Sequence, residues 1–317
     1  MTGIEKPGII APLTTLALLL AAAPAFGGNC HLGLNVSNVN LVWNTSLPTQ
    51  QINFTVTKQK TDACDFVVTF SKGGAGDYNR RMTSGASTLN YQLYKESSLT
   101  NILKDAPDVT SANDAITGSF GTGANQSQSL TYFLQIPYNL ATSPRLKLAG
   151  TYLDSYVVSV FNGTASSGLS GPDQTAGVSL STEVPRNVQL SLVCTGAGFD
   201  PNSTAQSLDF GTLTENAVRT FDIRILTNAG FSVTFASQNQ GVLRHTSPDV
   251  RTTIPYAVTV NSAFQNLTNG PVVVATGSGQ TTTSGTVNPV SITIGSLKDE
   301  IAGNYSDNIT VTVATTE

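Results

Sequence analysis

Apolar side chains return at every second position along most of this chain. Ile52, Phe54 and Val56 alternate with Asn53 and Thr55, and Leu89, Tyr91 and Leu93 with Asn90 and Gln92. The second half repeats the habit at Phe221, Ile223 and Ile225, at Val290, Ile292 and Ile294, and at Ile309, Val311 and Val313. A period of two puts one face of an extended strand on a core and the other in water, whereas a helix needs a period of about 3.6. No segment after residue 25 shows the helical period, which excludes an all-helical fold. The polar positions are filled by uncharged groups, 43 Thr and 31 Ser in 317 residues. Charged residues make up only 11% of the chain, under half of the roughly 25% usual in soluble domains. Thr, Val and Gly at this density suit strands and turns. Many short strands closed by Gly, Pro, Asn and Ser predict antiparallel β-sandwiches.

The formal net charge of -4 and the absence of any Lys/Arg run leave no basic surface for phosphates, so nucleic acid is excluded as a partner. Residues 1–25 have a composition of their own. An apolar run from Ile9 to Ala23 leads into Ala23-Pro24-Ala25, the small-residue pattern cleaved after export. They are expected to be a signal peptide. A membrane anchor needs about 20 apolar residues, and this run is shorter and is broken by Pro12, Thr14 and Thr15. Export leads to an oxidising compartment, where disulfides persist. Three cysteines allow one pair with one left over. A bridge between Cys30 and Cys64 would tie a first strand to its neighbour, and Cys194 reads as a buried apolar thiol on a strand. The two histidines, His31 and His245, fall in different halves, so a Ser/His/Asp arrangement or a zinc site lacks its residues. No catalytic residue, metal ligand or cofactor is expected.

An internal repeat divides the chain. Ala149-Gly150-Thr151-Tyr152-Leu153-Asp154 and Ala302-Gly303-Asn304-Tyr305-Ser306-Asp307 share the pattern A-G-x-Y-x-D, and Phe66–Phe70 is echoed by Phe231–Phe235. Residues 162–183 are rich in Gly, Ser, Thr and Ala, the composition of a flexible linker. The expected organisation is a first sandwich over 29–161, a linker over 162–183 and a second sandwich over 184–317, with the alternative left open that Val178 and Leu180 of the linker serve the first sandwich as its own last strand.

Within the first half, Cys64-x-Phe66-Val67-Val68-Thr69-Phe70-Ser71 is followed by Tyr78-Asn79-Arg80-Arg81-Met82, then by Leu89-Asn90-Tyr91-Gln92-Leu93-Tyr94, then by the closing A-G-T-Y-x-D. In that order these elements resemble the spore coat protein U domain, which typifies secreted pilins of archaic chaperone-usher pili. The second half is similar more weakly, through Leu208-Asp209-Phe210-Gly211 and its own A-G-N-Y-S-D, with Leu226 about where a second cysteine would stand. The resemblance implies a Cys30–Cys64 bridge with Cys194 left free. It also implies an all-β fold of two immunoglobulin-like antiparallel sandwiches in tandem, the second lacking its last strand and completed by a strand from a neighbouring subunit. A periplasmic pilus chaperone, an outer-membrane usher and an adjacent pilin are the implied partners.

The chain is compatible with that picture. Glu317 lies four residues beyond Val313, which leaves no segment to cover Ile309, Val311 and Val313, the expected lining of a donor-strand groove. Only Phe26 to Asn29 precede the first cysteine strand, so nothing is expected to be donated onward. The expected function is a two-domain pilus-tip subunit, exported through the periplasm to the cell surface, that attaches to an abiotic or host surface. Attachment is expected at the pole of the first sandwich furthest from the linker, with Ile102, Leu103, Tyr138 and Leu140 in its loops. The competing expectation is a free-standing secreted carbohydrate-binding sandwich. The two differ in whether the second sandwich is complete without a partner.

Overall fold

The computed structural model describes residues 30–42, 49–137, 147–298 and 300–316, so the expected signal peptide lies outside the described residues. The first sandwich runs through β1 (Leu32–Asn35), β2 (Val39–Val42), β3 (Thr49–Lys58), β4 (Cys64–Phe70), β5 (Arg81–Ser84), β6 (Ser87–Asn90), β7 (Gln92–Tyr94), β8 (Ile116–Phe120), β9 (Gln126–Gln135), β10 (Gly150–Asn162) and β11 (Gln174–Val184). The second contains β12 (Val188–Val193), β13 (Val218–Thr227), β14 (Gly230–Ser237), β15 (Val242–His245), β16 (Thr253–Val260), β17 (Ala263–Gln265), β18 (Val272–Gly277), β19 (Thr286–Ile294), β20 (Tyr305–Ser306) and β21 (Ile309–Thr316). Each sandwich buries its own apolar core, as the period-two pattern requires.

In the first sandwich, a sheet ordered β1-β3-β9-β7 faces one ordered β2-β11-β10-β4-β8, with β5 and β6 attached to β10. In the second, β12-β13-β19-β16-β15-β20 faces the three strands β18-β14-β21. The register shows that these sheets are built on one plan. Val158 pairs with Phe70 and Val160 with Val68, just as Val311 pairs with Phe235 and Val313 with Val233. Thus β21 is the counterpart of β10, β14 of β4, and β18 of β8. The same register gives Ala229, two residues before Phe231, the place that Cys64 holds two residues before Phe66; the sequence comparison had put Leu226 there.

Residues 162–183 are not a linker. Their small polar residues alternate with Ala176, Val178, Leu180 and Thr182, and this period of two forms β11, with Val178 and Leu180 fully buried. Strand β11 pairs antiparallel with β10 (Tyr156 opposite Val178, Asp154 opposite Leu180) and parallel with β2 (Leu180 opposite Val39). The first sandwich therefore closes itself and extends to Val184. Gly/Ser/Thr composition suits a flexible tether and a solvent-facing strand surface alike, and only the ladder partners distinguish them.

The turn to the second sandwich is fastened by Asn228. Its side-chain amide donates to the carbonyls of Lys147 (2.8 Å) and Pro185 (2.9 Å). Its side-chain oxygen accepts from the Asn187 amide (2.7 Å), and its main-chain carbonyl accepts from Ala149 (2.9 Å). The start of β10 and the end of β11 thus lie beside the second sandwich, and β10 runs away from it.

Leu180→Ala is expected to destabilise the first sandwich by about 2–5 kcal/mol, the range for emptying a filled core site. Val313→Ala, at a half-buried position, is expected to cost under about 1.5 kcal/mol; urea unfolding of the two variants checks the contrast.

Candidate functional site

Strand β21 is where the second sandwich departs from the first. Its counterpart β10 is flanked by β4 and β11, whereas among the described residues β21 pairs with β14 alone. The side chains of β21 alternate between half-buried and exposed, with Ile309, Val311 and Val313 packed against the core without being covered. Beside this edge lies a cleft of about 1290 Å³. One wall is the segment 204–213, the other runs from Ile301 to Val311, and Leu192, Phe221, Phe235, Ile254 and Ile292 line the floor. Leu208 and Phe210 on the first wall are half-buried and belong to no strand. In the first sandwich the matching flank holds β2 and β11.

The repeated A-G-x-Y-x-D motif frames the cleft. Tyr152 donates its hydroxyl to the Leu148 carbonyl (2.9 Å) and Tyr305 to the Ile301 carbonyl (2.8 Å), each bonding four residues back at the corner where the strand begins. This is the arrangement of a tyrosine corner. Gly150 (φ 139°) and Gly303 (φ 157°) precede them, and a Cβ on Gly303 would run into the His245 ring. The aspartates are also equivalent. Asp154 accepts from the Tyr91 hydroxyl (2.6 Å) and the Gly74 amide (2.9 Å). Asp307 accepts from the Tyr256 hydroxyl (2.5 Å), the Ser237 hydroxyl (2.6 Å) and the Asn239 amide (2.9 Å). Burial, and next the adjoining carboxylate, push the hydroxyls of Tyr91 and Tyr256 well above the ordinary tyrosine range, so both remain donors. The motif is therefore a structural brace, present in both halves, and the two halves differ in what lies beyond it.

Among the described residues no group of three His, Cys, Asp or Glu is arranged to hold a metal ion. Cys30 and Cys64 form the disulfide. Cys194 is free as expected but exposed, because β12 ends at Val193 and the thiol falls in the turn that follows.

Residues 18–159 match the family model of the Spore Coat Protein U domain. The match stops at residue 159, within β10 and before β11. No curated protein sequence matches the chain. Among solved structures, a chain of the CsuC–CsuE chaperone–tip adhesion subunit complex from archaic chaperone-usher Csu pili of Acinetobacter baumannii is 15% identical, with 89% of this chain and 99% of that one covered and a TM-score of 0.41. CfaE, the adhesive subunit of CFA/I fimbria of enterotoxigenic Escherichia coli, is 11% identical, with coverage of 89% and 93% and a TM-score of 0.36. The CupB6 tip adhesin from Pseudomonas aeruginosa is 9% identical, with coverage of 89% and 92% and a TM-score of 0.40.

Within the first sandwich, the two described loop residues expected to attach to surfaces are both drawn inward. Leu103 is fully buried in the core. Its amide donates to the Leu93 carbonyl (3.0 Å), and its carbonyl accepts from the Arg80 guanidinium (2.8 Å). Ile102 is half-buried in a bridge to Tyr94. Tyr138 and Leu140 lie outside the described residues. Sequence periodicity had no means of seeing the bonds that draw this loop inward. The Phe70 amide donates to the Lys104 carbonyl (2.9 Å), and the Lys104 amide to the Asp114 carbonyl (2.8 Å). The Lys104 ammonium meets the Asp114 carboxylate at 2.8 Å.

Burial alone would raise the Asp114 carboxyl, but Lys104 and the hydrogen bonds from Thr110 and Ser111 outweigh it and hold the group well below the usual carboxylate range. A lowered folded-state pKa contributes stability above the unfolded value of about 3.9, and that contribution is lost as pH falls below it. Urea midpoints are expected to drop between about pH 4 and pH 2, and Asp114→Asn to flatten that drop while lowering stability at neutral pH.

Proposed function

We propose that this chain is an exported subunit of a chaperone-usher pilus, placed at its tip, whose second sandwich is completed by a strand from another polypeptide. The lone pairing of β21 carries this reading. An edge strand with open amides and carbonyls beside half-covered apolar side chains invites uncontrolled association. Addition of a strand removes both liabilities, with main-chain hydrogen bonds for affinity and alternate side chains for selectivity. A periplasmic chaperone strand fills the cleft during transit, the outer-membrane usher receives the complex, and the adjacent pilin then takes the chaperone's place. The first sandwich, closed by its own β11, serves as the head that meets an abiotic or host surface outside the cell. Binding rather than catalysis is its work. A free-standing carbohydrate-binding sandwich would gain nothing from an open flank.

The contact surface proposed here lies at the pole of the first sandwich away from the second. Since β10 runs away from the second sandwich, the far pole of the head consists of the loops 59–63, 121–125 and 163–173. It is held rigidly. Lys58, fully buried, donates to the carbonyls of Asp62 (2.8 Å) and Gly121 (2.5 Å), Gly123 donates to the Thr61 carbonyl (2.7 Å), and the disulfide lies beneath.

Two experiments test the proposal. Appending a copy of residues 163–184 after Glu317 reproduces the connection and strand that close the first sandwich; it is expected to give a soluble monomer whose second sandwich melts about 10 °C higher or more. An unfused chain that is already monomeric and gains nothing would sink the incomplete-fold reading. Replacing 164–171 by an alternating Gly-Ser stretch should weaken attachment to a surface at unchanged melting temperature, and unaltered attachment would move the contact away from this pole.

A further inference from the structure

We infer that the strand taken up by the second sandwich runs antiparallel to β21 and turns its largest apolar side chain toward Ile309, an assignment that rests on the strand-uptake reading above and adds which strand fits. The first sandwich supplies the template. Strand β11 presents Val184, Thr182, Leu180, Val178 and Ala176 to Gly150, Tyr152, Asp154, Tyr156 and Val158. The shared register of β10 and β21 carries those five positions onto Gly303, Tyr305, Asp307, Ile309 and Val311. All five line the cleft. The parallel partner of β11 is β2, and the segment around Leu208 forms the wall on the corresponding side of the cleft.

The two sandwiches differ in the layer beneath that strand. In the first, Val178 lies beside Tyr156 in the same sheet, and the Tyr156 ring meets that of Tyr132 edge-on with centroids 6.5 Å apart. The two hydroxyls are 2.5 Å apart and both residues are buried. In the second, Ile309 takes the place of Tyr156. Val290 on β19 takes that of Tyr132 on β9: Tyr256 corresponds to Tyr91 and hence Val258 to Leu93, whose ladder partners are Ile292 and Leu134, and Val290 and Tyr132 each stand two residues before those partners. Ile309 is half-buried and lines the cleft, and Val290 is buried in the core. Two aromatic rings are thus replaced by two shorter aliphatic chains. Protein interiors pack at a density of about 0.75 and leave few voids, so the space has to be filled from the incoming strand. The lining there is aliphatic and its tyrosine hydroxyls are gone, which selects an apolar group such as Phe or Leu. Val, sufficient beside Tyr156, is too small beside Ile309.

The appended copy of residues 163–184 provides the test. Within it, the residue derived from Val178 is set to Ala, Val, Leu or Phe, and the melting temperature of the second sandwich is read in the full chain. The midpoint is expected to rise in that order, with Phe several degrees above Val. Introducing Ile309→Tyr in the chain restores the ring and is expected to reverse the preference, so that Val exceeds Phe. A Phe copy no better than Val in the native background would overturn the assignment. Phe remaining best in the Ile309→Tyr background would also overturn it, because the gain would then reflect general hydrophobicity rather than fit. In both cases every copy still stabilises, and strand uptake stands. If no copy raises the midpoint above that of the unfused chain, strand uptake itself fails and the assignment falls with it.

Discussion

An extended backbone must pair its amides and carbonyls or leave them to water, and a strand that also buries one face cannot do the latter on both flanks. The two sandwiches of this chain answer that demand differently. In the first, β10 is enclosed between β4 and β11, and β11 in turn binds β2. In the second, the equivalent strand keeps one flank open, and a cleft lies where two strands would be. The rest of the architecture follows from that contrast: one sandwich closed by its own β11, and one with a cleft along its last strand.

Closure of the first sandwich relies on polar groups held in the interior as well as on its apolar core. Arg80 is fully buried and donates to the carbonyls of Phe70, Ser71 and Leu103 and to the side chain of Gln92. Desolvation lowers its pKa from the ordinary arginine value, and the ring of Tyr78 packs against the guanidinium. Lys58 does comparable work at the far pole. Buried cations cost free energy unless every donor finds an acceptor, and here main-chain carbonyls of loops serve as those acceptors. Loops that would otherwise splay outward are drawn against the sheets.

The junction between the sandwiches shows the same economy. Asn228 binds the carbonyls of Lys147 and Pro185, the amides of Asn187 and Ala149, and is itself buried. One side chain thus gathers the segment before β10, the segment after β11 and the turn between β13 and β14.

The sequence by itself determined that the chain is all-β, that it is built twice, and where the repeat falls. Side-chain alternation is a local property, and the A-G-x-Y-x-D motif carries its own bonds, Tyr152 to Leu148 and Tyr305 to Ile301, within five residues. The resemblance also led to Cys30–Cys64 and to the apolar face of Ile309, Val311 and Val313. The status of residues 174–184 stayed open between linker and last strand, because a Gly/Ser/Thr-rich stretch becomes a strand only when β10 and β2 offer it a ladder. Nor was the burial of Leu103, which depends on Arg80 and Leu93 reaching it from other strands, or the exposure of Cys194, which depends on β12 stopping one residue short. Composition and period record what each residue prefers beside its neighbours in the chain. Which flank is filled, and which stays open for another strand, is decided by partners distant in sequence, and only the tertiary structure brings those together.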